Sequence, residues 1–231
     1  MIEKNKQFWQ SITTEFQATL GDNLIQAGVY DRHLEKGHFF IVVENDSVSA
    51  VKGLQPLMRK LAAKKMPFPL IMSKEYILTS LDSFPLEFIN IKYYYENTFA
   101  KEDIFEGLTF EPKDIRLEME REVKGKVLLT RQYLLESLGN MKVINELIQV
   151  SLLALMPVFK GVLILKGEEI PRNELELLEK TDEVTRVVLD SFRKAVALRD
   201  EKLPRDKVIE FFQNYINQMV LLMNLIENWE V

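Results

Sequence analysis

The stretch LIQAGVYDRHLEKGHFFIVV, residues 24–43, decides the fold. Two apolar runs, residues 24–30 and 39–43, are separated by a polar segment that starts at Asp31 and ends at Gly37, and Glu44, Asn45 and Asp46 follow as a turn. Short apolar runs bounded by turn residues read as strands, and the unbroken second run marks a strand covered on both faces.

Working outward, residues 3–20 place Phe8, Trp9, Ile12, Phe16 and Leu20 at three- and four-residue intervals, which is the period of an amphipathic helix stopped at Gly21. On the other side, Ser47 caps a helix reaching about residue 65, with Val51, Leu54, Leu57, Met58 and Leu61 inward. Its last turn holds Arg59, Lys60, Lys64 and Lys65, where cations suit the helix dipole. Residues 68–72 read as a third strand, 73–81 as a short helix opened by Ser73, and 84–94 as a fourth strand. The alternation predicts an α/β or α+β unit on a small sheet.

After Glu111-Pro112 no β-like run remains, which sets a boundary between units 1–112 and 113–231. Residues 113–138 read as a helix with Leu117, Val123, Val127, Leu134 and Leu138 inward and Gly139-Asn140 as its stop. A second helix covers 143–166 with a kink near Pro157; a short one at 173–180 precedes a third long helix at 183–198, and a fourth covers 206–229 after Pro204. Helices joined by short loops predict an antiparallel bundle. The last helix carries apolar residues on more than one stripe, from Val208 and Phe211 to Ile226 and Trp229, so it belongs either at the bundle centre or at an interface. The second alternative predicts a protein partner or a second copy of the chain bound through the C-terminal helices.

Composition shortens the list of chemistries. The 231 residues include no cysteine, which excludes disulfides, thiolate nucleophiles and Cys-based metal sites. The two histidines, His33 and His38, fall in one segment and form no HExxH pattern. A net charge of -5 opposes bulk nucleic-acid binding, so any such contact must be local. The N-terminal residues mix charges into the apolar pattern unlike a signal peptide, and the apolar stretch 147–165 carries Gln149, Ser151, Pro157 and Lys160, so it reads as a buried bundle helix rather than a membrane span. The expected location is the cytoplasm.

The order helix, strand, loop, strand, helix, strand, helix, strand, followed by a helical bundle, resembles the small nucleotidyltransferases of the DNA polymerase β superfamily. SLDSFPLEFINIKYYYENTF at residues 80–99, with EREVKGK at 120–126 downstream, resembles bacterial nucleotidyltransferase-domain proteins. The resemblance implies a mixed α+β sheet with flanking helices, a glycine turn holding nucleotide phosphates, and paired acids two apart on the following strand that carry magnesium. Here the turn corresponds to Gly28-Val29, and the acids should fall within residues 37–41, which read Gly37, His38, Phe39, Phe40, Ile41. That window holds no carboxylate. By the resemblance the third family acid is either Glu87 alone, placed by strand alternation with Ile89 and Ile91 while Leu86, Phe88 and Asn90 share the other face, or absent.

The resemblance therefore implies a vestigial nucleotide cleft of Gly28, Val29, Arg32, His38 and Glu87, with no transfer chemistry and no cofactor, and a role in protein interaction, scaffolding or nucleotide sensing. The alternative is an active enzyme using Mg and NTP through relocated acids Glu44, Asp46 and Glu87. Glu44 and Asp46 read more simply as a polar turn before a helix. Arg32 and His38 match the spacing of a HEPN ribonuclease motif but lie outside the bundle helices where that motif belongs, and Arg32, Lys36 and His38 otherwise read as a solvated loop or a phosphate contact. Tyr93, Tyr94 and Tyr95, with Lys92 and Phe99, form an aromatic cluster that reads as core and rim.

Overall fold

A computed structural model describes residues 2–30, 37–199, 204 and 206–230, with side chains described from residue 7 onward. The chain is α+β and divides into two compact units, Met1–Thr109 and Phe110–Val231.

The first unit opens with helix α1 (Ile2–Leu20), whose apolar stripe covers one face of a four-stranded sheet. Strands β1 (Leu24–Tyr30) and β2 (His38–Val43) pair antiparallel, so the two apolar runs of residues 24–43 are neighbours. The chain then crosses through α2 (Val48–Val51), a 3-10 turn at Lys52–Leu54 and α3 (Gln55–Ala63) to β3 (Leu70–Ser73), which runs parallel to β2. The single helix expected from Ser47 to residue 65 is thus broken. Pro56 lies in the first turn of α3; its ring would collide with the carbonyl of Lys52 in a continuous helix and it has no N–H to donate.

Ser73 caps α4 (Lys74–Thr79) by accepting from the Tyr76 N–H at 3.2 Å. The segment expected as a fourth strand is instead helix α5 (Pro85–Tyr94), and the fourth strand is β4 (Glu96–Ala100). Pro85 sits in the first helical turn, where its missing N–H costs nothing, and Pro85, Leu86, Phe88, Ile89, Asn90 and Ile91 are all buried. Burial on every side hides the helical period, so a continuous apolar run reads equally as strand. The sheet order is β3-β2-β1-β4, with β4 antiparallel to β1 and a register shift between Ala27 and Gly28.

Central β2 is buried on both faces. Phe39, Ile41 and Val43 join Trp9, Ile12 and Phe16 of α1 and Leu57 and Leu61 of α3, and Trp9 stacks on Phe39 with ring centres 4.6 Å apart. Phe40 faces the other way, its ring edge-on to Phe105 at 4.9 Å and to Tyr95 at 6.0 Å. Each such ring contributes on the order of 1.5–3 kcal/mol of burial free energy, which makes β2 the strand around which this unit is assembled.

The second unit is helical: α6 (Pro112–Glu136), α7 (Met141–Leu165), α8 (Glu174–Thr185), α9 (Asp190–Ala197) and α10 (Val208–Glu227). Helix α7 is long and apolar enough to cross a membrane, yet 61% of the residues in its most apolar window are buried, and within its unit the helix packs against α6, α8 and α9. On α10, Val208, Phe211, Phe212, Tyr215, Ile216, Met219, Leu222 and Ile226 are buried, so of the two places open to it this helix takes the core.

Two expectations fail here. Leu117 and Leu138, expected inside, are exposed, and the inward face of α6 is built from Ile115, Met119, Val123, Val127 and Thr130. The continuous helix expected at 183–198 is two helices. Arg186 takes the left-handed conformation with φ 57°, ending α8, and the Asp182 carboxylate accepts the Leu189 N–H at 2.9 Å to start α9. The adjacent β-branched Val187 and Val188 favour the extended link between them.

Candidate functional site

Among the described residues, any nucleotide-binding reading depends on Gly28, Val29, His38 and Glu87, with Glu44 and Asp46 as the relocated acids. Gly28 and Val29 are not in a turn; both lie inside β1, where Gly28 pairs with Phe40 and Val29 with Phe39. A Cβ on Gly28 would stand 2.5 Å from Phe40 Cζ and 2.7 Å from the Glu96 carbonyl oxygen. The glycine is therefore required by packing, because the Phe40 ring and the β4 backbone fill the space a side chain would take. Val29 is buried in the α1-facing core. His38 begins β2, half-buried, with its ring 5.3 Å from that of Tyr30. Arg32, His33 and Lys36 lie outside the described residues.

The acids are scattered among surface positions. Glu44 and Asp46 are exposed in the turn after β2, which is tied down by a reciprocal pair: Asn45 N–H to Asn23 Oδ1 at 2.8 Å and Asn23 Nδ2 to Asn45 O at 2.9 Å. Glu87 is exposed in the first turn of α5, where a carboxylate suits the positive helix end. It does not share a face with Ile89 and Ile91, which are buried, because the segment is helical. Among the described residues, no three His, Asp or Glu side chains form a group able to hold a metal ion. In the tyrosine run, Tyr93 is exposed at the end of α5, while Tyr95 turns toward Asp103.

Tyr95 belongs to a polar network that sequence reasoning missed. Gln26, fully buried in β1, donates from Nε2 to Asn97 Oδ1 at 2.8 Å and to Asp103 Oδ1 at 2.9 Å, and its Oε1 accepts the Ile104 N–H at 2.9 Å. Asp103 also accepts from Tyr95 OH at 2.7 Å, Asn97 Nδ2 at 2.6 Å and the Glu106 N–H at 3.3 Å. Burial disfavours the Asp103 charge, but the hydrogen bonds from Tyr95, Asn97, the Glu106 N–H and Gln26 outweigh it and hold the carboxyl below the usual range. The Tyr95 phenol is pushed up, first by burial and then by its bond to Asp103.

Three of the four donors, Gln26, Tyr95 and the Glu106 N–H, converge on Asp103 Oδ1, and Asn97 alone reaches Oδ2. The cluster is a clamp that fastens β4 and the segment after it to β1. The one sequence signal for it was Gln26, the only strongly polar side chain in an otherwise apolar run.

No family model matches the chain, and no curated protein matches it.

Proposed function

We propose that the chain is a cytoplasmic, non-catalytic binding protein with a nucleotidyltransferase-like α/β unit, acting through a protein partner or a second copy of itself at the C-terminal helices. The observation that carries this reading is the Phe40 ring packed against Gly28 on a strand without a carboxylate. Where the resemblance calls for an open backbone cradle beside paired acids, this chain has an aromatic core. The reading assigns no cofactor, and neither Mg nor NTP is required.

The binding surface in this reading is the outer face of α6. Leu117, Leu128 and Leu135 are exposed and fall on one line of that helix, opposite its buried face, and Leu138 just beyond is 93% exposed. Arg121 and Lys124 stand on the same line between Leu117 and Leu128, so the apolar part proper is the C-terminal end with Leu128, Leu135 and Leu138, and exposed apolar clusters rimmed by charge mark interaction sites. Sedimentation velocity over a concentration range, on the wild type and on Leu128→Glu/Leu135→Glu, tests the self-association form. The expected result is a concentration-dependent dimer that the double substitution reduces to monomer. A wild type that stays monomeric and releases pyrophosphate from NTP overturns the reading.

A further inference from the structure

We draw no further inference here: the strongest candidate, the exposed apolar stripe of Val143, Val150 and Leu153 on the outer face of α7, carries none because nothing in the structure shows what covers it.

Discussion

Gly28 and Phe40 are register partners across β1 and β2, and the Phe40 ring takes the volume that any side chain at position 28 would need. A methyl group there meets the Phe40 ring and the Glu96 carbonyl together, and the carbonyl belongs to a paired strand that cannot turn aside. Gly28→Ala is therefore expected to destabilise the protein by roughly 1–3 kcal/mol, the range for overpacked cores. Urea denaturation checks it. Adding Phe40→Leu should recover part of the loss, since the ring is one of the two obstacles, and no recovery would place the whole strain at β4.

Asp103 supplies the clearest pH dependence. Its folded carboxyl titrates below the ordinary range, so its contribution is complete above about pH 4 and is lost as pH falls through the lower folded value. Asp103→Asn turns an amide toward donors that a carboxylate accepts and should cost roughly 1–3 kcal/mol at neutral pH. It should also flatten the fall in stability on acidification below about pH 4, measured by denaturant midpoints at several pH values. An unaltered acid limb would show that other carboxylates set it.

The break between α8 and α9 gives a pair of opposite effects. Asp182 accepts the Leu189 N–H at 2.9 Å and pairs with Arg193, so Asp182→Ala should cost about 1–2 kcal/mol as a lost cap. Arg186→Gly relieves a left-handed residue and should gain about 1 kcal/mol. Thermal melts of the two variants read both signs.

In the helical unit, Tyr215 is completely buried and donates its hydroxyl to Ser151 Oγ at 3.2 Å, with its ring 4.7 Å from that of Phe192. Tyr215→Phe keeps the ring and should cost about 1 kcal/mol, while Tyr215→Ala opens a cavity and should cost about 3–5 kcal/mol. Equal losses for the two would mean that the hydroxyl, not the ring, holds this site.

The parts of the fold legible in the sequence are those with one dry face or a clean boundary. Trp9, Ile12 and Phe16 repeat at helical spacing because only one side of α1 is covered, and residues 39–43 are unbroken because β2 is covered on both. Residues 84–94 misled for the same reason that β2 did not: burial all round erases the period, and Pro85 was the deciding signal. Strand β4 was invisible because residues 96–98 are polar and only Phe99 packs on the core; it is an edge strand held by its ladder to β1 and by side chains, Thr98 to Ala27 O at 3.1 Å and Asn97 to Asp103. Of the candidate site, the absence of a carboxylate from residues 37–41 could be read directly, but the ring filling against Gly28 and the Gln26–Asp103 clamp depend on pairings between distant segments.

The most direct measurement of the central claim is calorimetric titration of the purified chain with ATP, GTP, CTP and UTP, with and without magnesium. The expected result is no magnesium-dependent heat with any nucleotide, because the Phe40 ring fills the space beside Gly28 and β2 carries no acid. Saturable magnesium-dependent binding that is lost in Glu44→Ala, Asp46→Ala or Glu87→Ala would contradict the account and restore a nucleotidyltransferase with relocated carboxylates.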